Sequence, residues 1–126
     1  MTGFAFDADI VIDALSDYPP ARAEIRRALE LDSRAWISRM VWIEILSKGS
    51  DPLVARSQQF LTGFDIDEID AAIAERAAAL RRERVRLKSA DAVILASAQL
   101  RGRVLVTRNT KDFPATMPGI RVPYTL

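Results

Sequence analysis

Short apolar runs alternate with longer amphipathic segments along this chain of 126 residues. The runs show no regular apolar and polar alternation, which is typical of strands covered on both faces of a sheet. We predict strands at residues 3–6, 35–37, 64–66, 104–106 and 120–122. The longer segments place apolar residues three or four positions apart, as on one face of a helix. We predict helices at residues 9–17, 20–32, 39–48, 51–62, 70–86 and 89–100.

This alternation predicts the fold class. Strands joined in sequence by helices form a parallel sheet with helices on both faces. We therefore predict an α/β protein: a three-layer α/β/α sandwich with a short, mainly parallel central sheet of four to five strands, in a single domain over residues 1–126. One segment has two interpretations. Val93, Ile94 and Leu95 can form a strand, whereas the surrounding alanines and the start at Ser89 favour a buried helix.

The composition excludes several classes of protein. The chain has no cysteine, so it has neither a disulfide framework nor a thiolate metal site. It also has no histidine, which removes the commonest general base and the commonest transition-metal ligand. The net charge of +1 neither suggests nor excludes a nucleic-acid partner. The apolar runs are too short to span a bilayer and the N-terminus does not resemble a signal peptide, so we expect a cytoplasmic protein with no membrane contact.

Polar side chains follow several of the predicted strands. In an open parallel sheet, sites form at the edge where strands end and helices begin. Glu44 lies within a mostly apolar helix, where a carboxylate is costly unless it is paired or bound to a cation. We expect one site from residues that this edge brings together: Asp7, Ser38, Glu44, Asp91, Thr107, Asn109 and Asp112.

A simpler role is open for each of these acids. Asp9 can cap the helix that follows it, and Asp91 can complement a helix dipole. Lys48 is placed to pair with Glu44 one helical turn away. Asp112 can be a turn residue. We expect Asp13 and Asp17, which lie on the first helix, to face solvent.

Taken together, the acids indicate a metal site. Three or four carboxylates at one edge would repel each other without a cation. Oxygen ligands without histidine or cysteine suit Mg²⁺ or Mn²⁺ rather than zinc. Such a cluster matches a metal-activated water that attacks a phosphodiester.

Four stretches of the chain resemble a known family. They are "FDADIVIDAL" at 4–13, "ISRMVWIEILS" at 37–47, "LKSADAVILASAQLRG" at 87–102 and "VLVTRNTKDF" at 104–113. The first two alone would be weak, whereas the last two in tandem are specific. The chain resembles the PIN-domain ribonucleases and, within them, the VapC-like toxins of bacterial type II toxin–antitoxin pairs. The resemblance covers nearly the whole chain.

The resemblance implies roles for individual residues. Asp7, Glu44 and Asp91 match the first three metal-binding acids of the family. The fourth acid follows the strand-ending threonine, where this chain has Asn109, with Asp112 three residues later. We take Asp112 as the fourth catalytic and metal-binding residue. A neutral amide binds a hard cation less tightly than a carboxylate, so this position is a departure from the family.

A second group of positions is expected to support the acids or contact substrate. These are Asp9, Ser38, Thr107 and Asn109, and the chain departs from the family at Ala8, where a hydroxyl residue is usual. Basic residues around the site can contact RNA phosphates, and the candidates are Arg82, Arg86, Arg108 and Lys111. A solvated helix face is the alternative for this basic cluster.

The resemblance further implies an Mg²⁺-dependent (or Mn²⁺-dependent) endoribonuclease, a cognate antitoxin protein that blocks its active site, and a homodimer. Trp36, Met40 and Trp42 are large residues that can lie at an interface or in the core. Two other classes stay open. "DADIV" fits a haloacid-dehalogenase-like phosphohydrolase with Asp7 as nucleophile, although the later acidic pair of that class is missing. A non-enzymatic receiver or interaction domain is the other, although no middle strand ends in a phospho-acceptor aspartate.

Overall fold

A parallel sheet of five short strands forms the centre of the computed structural model, which describes residues 3–126. The predicted α/β/α sandwich is confirmed. The strands, in chain order, are β1 Phe4–Phe6, β2 Trp36–Ser38, β3 Asp65–Asp67, β4 Val104–Val106 and β5 Ile120–Arg121. The helices are α1 Ala8–Leu15, α2 Pro19–Asp32, α3 Arg39–Leu46, α4 Asp51–Leu61, α5 Ala71–Glu83 and α6 Ser89–Arg101.

The strand order β3-β2-β1-β4-β5 places β1 at the centre of the sheet. Ala5 pairs with Trp36 on one side and with Leu105 on the other, and all four pairings are parallel. The carboxyl ends of β2, β1 and β4 are therefore neighbours at one edge. This register is what brings the residues that follow these strands into one site.

The helices pack in the two outer layers. Helix α1 contacts α2 and α3, while α5 packs along α6, which in turn lies against β2 and β4. The segment 92–98 lies in α6 and carries six fully or nearly fully buried residues, so its helical interpretation was correct. Between the layers, the core contains large apolar side chains from each part of the chain, including Phe6, Ile10, Ile37, Leu105 and Phe113. None of the helices within residues 3–126 is long and apolar enough to cross a membrane.

Three helices end two or three residues before the predicted position. Helix α3 stops at Leu46 instead of residue 48, and the other two ends each have a local cause in the backbone. Helix α1 stops at Leu15 instead of residue 17, because Asp17 adopts a left-handed backbone conformation with φ of 60°. Helix α5 stops at Glu83 instead of residue 86, because Arg84 takes an extended conformation that starts the turn into α6. Residues of that turn line a cavity together with Lys111 and Asp112.

The large residues considered for an interface pack against the core. Trp36, Met40 and Trp42 are partly buried there. The guanidinium of Arg103 lies 3.6 Å from the centre of the Trp36 ring and forms two 2.8 Å bonds to the buried Asp67. A buried charge needs such a partner to be stable. The arrangement connects the residue before β4 to β2 and β3, two strands that do not pair with β4.

Candidate active site

Asp7 lies at the middle of the edge where the strands end. The residue is buried, with only 5% of its surface exposed. Oδ1 accepts a 2.8 Å hydrogen bond from the Ala8 amide and so caps α1. Oδ2 accepts a 2.8 Å bond from the Thr107 hydroxyl, which follows β4. The N-cap of α1 is therefore Asp7 and not Asp9. The same side chain caps the helix and lies at the edge where the strands end.

The pKa of Asp7 is raised from 3.8 to about 7. Burial is the largest cause, the negative charge of Asp9 is the second, and Asp91 adds a smaller contribution. The hydrogen bonds from Thr107 and Ala8 oppose these effects without cancelling them. A cation placed beside Asp7 would favour its ionised form, since an opposite charge lowers the pKa of a carboxyl group.

Asp9 adds a second carboxylate to the same place. Its Oδ2 accepts a 3.3 Å bond from the Arg108 amide and lies 3.5 Å from the Thr107 hydroxyl. Its Oδ1 is buried and has no hydrogen-bond partner among residues 3–126. Burial raises the pKa of Asp9 as well. An unpaired buried carboxylate oxygen is unfavourable unless a cation or water fills the position.

Glu44 and Asp91 bring the charge of two more helices to the site. Both are half-buried, and burial is the main reason that the pKa of each is raised. Asp91 raises the pKa of Glu44, and Asp9 raises the pKa of both groups through its charge. Lys48 acts on Glu44 through its charge, but no ion pair joins them in the described part of the chain. The simple pairing considered for Glu44 is therefore not formed.

Asn109 and Asp112 form a braced turn after β4. The Asn109 side chain donates from Nδ2 to Asp112 Oδ2 over 2.9 Å, and its Oδ1 accepts a 3.3 Å bond from the Asp112 amide. The Phe113 amide bonds back to the Asn109 carbonyl, and the Phe113 ring is fully buried. Asp112 is close enough to raise the pKa of Asp91 by charge repulsion and by a hydrogen bond. The turn thus carries Asp112 to the acids, while Asn109 orients it.

The hydroxyl residues at the edge are buried and hydrogen-bonded. Ser38 caps α3 by accepting a 3.1 Å bond from the Met40 amide. It also lies 3.4 Å from the Ser97 hydroxyl of α6, a contact that the sequence pattern did not indicate. Thr107, which is fully buried, also accepts a 3.0 Å bond from the Asn109 amide. Thr107 therefore connects Asp7 to the turn that carries Asp112.

The expectation that Asp13 faces solvent was wrong. Arg108 donates two bonds to Asp13, of 2.7 and 3.0 Å, and the hydroxyl of Tyr124 donates a third of 2.7 Å. The bond from Arg108 is the main cause that lowers the pKa of Asp13. Burial and the bond to Asp13 raise the pKa of Tyr124. Asp17, by contrast, is exposed as expected and pairs with Arg22.

The predicted phosphate-contacting residues fall into two groups. Arg82, Arg86 and Lys111 are exposed, and the last two line one cavity with Asp112. The guanidinium of Arg108 is hydrogen-bonded to Asp13, and the backbone amide of Arg108 donates to Asp9. Arg108 therefore stabilises the position of Asp9. Lys88 belongs to the same basic cluster of the sequence as Arg82 and Arg86, and its charge acts on both Glu44 and Asp91.

The donor chemistry fits a hard divalent cation. All the candidate donors are oxygens, four of the acids have a raised pKa, and one buried oxygen of Asp9 lacks a partner. Within residues 3–126, no three acidic side chains are already arranged as a ligand set for one ion. Glu44, Asp91 and Asp112 are only partly buried, so these side chains have room to adjust around an ion.

Comparison with known proteins assigns the family. A model of the PIN domain matches residues 4–116, which span nearly all of the fold and every acid described above. The chain belongs to the PIN-domain family. The search of curated proteins gave no significant match.

Several solved structures share the fold over almost their whole length. A toxin–antitoxin complex from Klebsiella pneumoniae contains a chain 40% identical to this one, with a TM-score of 0.82 and coverage of 97% of this chain and 98% of that chain. A DNA-bound VapBC from Salmonella typhimurium is 27% identical, with a TM-score of 0.77 and 96% coverage of both chains. FitAcB from Neisseria gonorrhoeae is 20% identical, with a TM-score of 0.76 and coverage of 98% and 99%, and shows the shared fold alone.

These comparisons confirm the resemblance to VapC-like PIN toxins. The family match also removes the basis for the two alternative classes, the haloacid-dehalogenase-like phosphohydrolase and the receiver domain. Both alternatives rested on short local patterns, whereas the PIN match extends from β1 to beyond the turn that carries Asp112.

The raised pKa of Asp7 predicts how stability depends on pH. The folded state binds this proton more tightly than the unfolded chain, so the free energy of unfolding should fall as pH rises from about 4 to about 7. Asp7→Asn removes the buried charge and should stabilise the metal-free protein at pH 8 by on the order of a few kcal/mol. Below about pH 4 both states hold the proton, so wild type and variant should unfold at similar temperatures.

Thermal unfolding in EDTA between pH 4 and pH 8 measures this difference. Asp17→Asn is the matched control, because it makes the same chemical change at an exposed aspartate just after the C-terminal end of α1. A stabilisation of Asp7→Asn that is the same at every pH would contradict the raised pKa.

Proposed function

We propose that this chain is a metal-dependent endoribonuclease and the toxin component of a toxin–antitoxin pair. The observation that carries the proposal is the set of acids at the sheet edge, in which burial and mutual repulsion raise the pKa of Asp7, Asp9, Glu44 and Asp91 together. A protein places such a set at one point when a cation is to be bound there. Membership of the PIN-domain family supports the same chemistry.

The proposed cofactor is Mg²⁺ or Mn²⁺. A bound ion of this kind lowers the pKa of a coordinated water and neutralises charge on the phosphate. Asp7 and Asp91 would hold the ion directly, while Glu44 and Asp112 would accept hydrogen bonds from its waters. Thr107 keeps one oxygen of Asp7 in place, and Ala8 holds the other.

Glu44 is the group best placed to receive a proton from the attacking water. It is half-buried, and its pKa is raised by burial and by Asp91. A carboxylate with a raised pKa is a stronger base than an ordinary one. Lys48 and Lys88 oppose this rise in the pKa of Glu44 through their positive charge.

We propose single-stranded or loop RNA as the substrate, with the cytoplasm as its location. Arg82, Arg86 and Lys111 are exposed and can bind phosphates on the flank of the acids. Arg108 stabilises this region through hydrogen bonds, from its side chain to Asp13 and from its backbone amide to Asp9.

An antitoxin protein is the proposed partner. The relatives described as toxin–antitoxin complexes support it, and so does the surface beside Glu44. A cavity of about 190 Å³ there is lined by Ile12 and Leu53, which are 42% and 40% exposed, and by the cations Lys48 and Arg56. An apolar segment with acidic residues would fit this surface and cover Glu44. The homodimer also stays a proposal. Trp36, Met40 and Trp42 pack against the core while only partly buried.

The proposed metal dependence has a direct test. EDTA should abolish cleavage of a mixed-sequence single-stranded RNA, and excess Mg²⁺ or Mn²⁺ should restore it, because the acids need a cation to act on a phosphodiester. The readout is the appearance of shorter fragments from end-labelled RNA. Cleavage that survives thorough chelation would refute the mechanism.

Glu44→Gln tests the proposed proton acceptor. The amide keeps the shape of the side chain but cannot take up a proton, so the cleavage rate should fall by about 10²- to 10⁴-fold. The control is Glu30→Gln, an exposed glutamate on α2, which should cleave at the wild-type rate. Both variants should have the circular dichroism spectrum of wild type. A folded Glu44→Gln variant with near-normal activity would mean that Glu44 only contributes to the local charge.

Asp112 and Asn109 can be separated by metal titration. Asp112→Asn removes a charge beside Asp91 and should raise the Mg²⁺ concentration that gives half-maximal cleavage. Asn109→Asp should lower that concentration, because it adds a carboxylate where the family has an acid and removes the donor that holds Asp112 Oδ2. Asp17→Asn should leave the titration unchanged. An unchanged titration for Asp112→Asn would make Asp112 a turn residue.

A further inference from the structure

A cavity lies beside the acids, on the side of Asp112. Its volume is about 350 Å³, and it opens between the turn that joins α5 to α6 and the turn that follows β4. The acids themselves lie beyond its Asp112 wall, since Asp112 acts directly on Asp91. The six residues that line it are Arg84, Val85, Arg86, Leu87, Lys111 and Asp112.

The charge of this cavity favours an anion. Arg84, Arg86 and Lys111 supply three positive charges against the single carboxylate of Asp112. Neither Arg86 nor Lys111 forms an ion pair within the described residues 3–126. Both side chains are exposed and free to turn toward a ligand. A cluster of cations that is not neutralised by the protein is a site for phosphate or carboxylate groups.

Arg84 differs from the other two cations. Its Nη2 donates a 2.6 Å bond to the backbone carbonyl of Asp112, which ties the turn after α5 to the turn that carries the acid. Its Nη1 is buried and has no hydrogen-bond partner among the described residues. A buried donor without an acceptor costs about 1–3 kcal/mol, and more when it is charged. An acceptor that arrives with a ligand would remove this cost.

We propose that this cavity, here called the phosphate cavity, binds one phosphate of single-stranded RNA next to the phosphate that is cleaved. The inference rests on the proposed nuclease function and assigns a place to its substrate. The phosphate oxygens accept hydrogen bonds from Arg84, Arg86 and Lys111. Arg86 and Lys111 are exposed and reach the phosphate directly, whereas Nη1 of Arg84 is covered and reaches it only after a local rearrangement.

Two features tie the phosphate cavity to catalysis. Asp112 is shared, because its side chain acts on Asp91 while its carbonyl accepts the bond from Arg84. A phosphate held by Arg84 is therefore in fixed relation to the acids. Val85 is 81% exposed and offers an apolar surface at the rim, where the sugar or base of the same nucleotide would lie.

The test is binding of a fluorescein-labelled ten-nucleotide oligouridylate to the Asp7→Asn protein in EDTA, measured by anisotropy at several KCl concentrations. Asp7→Asn prevents cleavage, and EDTA removes any contribution from a metal. Arg86→Gln and Lys111→Gln should each weaken binding several-fold and reduce the slope of log K against log [KCl] by about 0.7, the value for one phosphate contact on a single strand. Arg84→Gln should do the same.

Arg26→Gln is the matched control, because Arg26 is an exposed arginine on α2 outside the phosphate cavity. It should leave both affinity and slope unchanged. If Arg84→Gln fails to fold, Arg86→Gln and Lys111→Gln decide the question, since both residues are exposed. A second readout is NMR titration with inorganic phosphate, which should shift the amides of residues 84–88 and 110–112.

The inference is overturned if the cavity variants bind RNA with the affinity and slope of the Arg26→Gln control, or if phosphate shifts amides elsewhere. Its failure is distinguishable from failure of the proposed function. RNA cleavage with unchanged slopes would keep the nuclease and remove the phosphate cavity. Binding with reduced slopes, but no cleavage by the wild-type protein in Mg²⁺, would keep the phosphate cavity and remove the nuclease.

Discussion

The burial of the Asp7 carboxylate is the constraint on which the rest of the site depends. Only 5% of the residue is exposed, and its pKa is raised to about 7. The amide of Ala8 and the hydroxyl of Thr107 hold its two oxygens, but they do not compensate for the burial and for the charge of Asp9. The edge of the sheet is therefore a place where the ionised form of a carboxyl group is unfavourable unless a positive charge lies beside it.

The hydrogen bonds around the acids keep their positions fixed despite mutual repulsion. Thr107 connects Asp7 to the turn that carries Asp112, through its bond from the Asn109 amide. Arg108 holds Asp9 with its amide and Asp13 with its side chain. Asp7 and Asp9, which are held most closely, therefore need little rearrangement when a charge arrives, whereas the partly buried Glu44, Asp91 and Asp112 can still adjust.

The chain distributes its positive charge around the acids instead of pairing it with them. Lys48 and Lys88 act on Glu44 from a distance, and Arg86 and Lys111 line a cavity on the Asp112 side. Full pairing would neutralise the acids and block the approach of a cation. Basic side chains placed around the acids leave the carboxylates unpaired. Their positive charge also favours an anionic ligand at the same place.

The sequence by itself determined the fold class and the edge of the sheet at which most of the candidate site residues lie, because both follow from order along the chain. Alternating apolar runs and amphipathic segments require a parallel sheet, and residues after parallel strands must meet at one edge, as Asp7 and Thr107 do. Strand limits shifted by a residue, since pairing between strands decides them. Only the tertiary structure decided that Tyr124 and Arg108 meet at Asp13, and that Arg84 holds the carbonyl of Asp112. These contacts join residues far apart in the chain, and no local pattern specifies which distant partner a charged side chain will find.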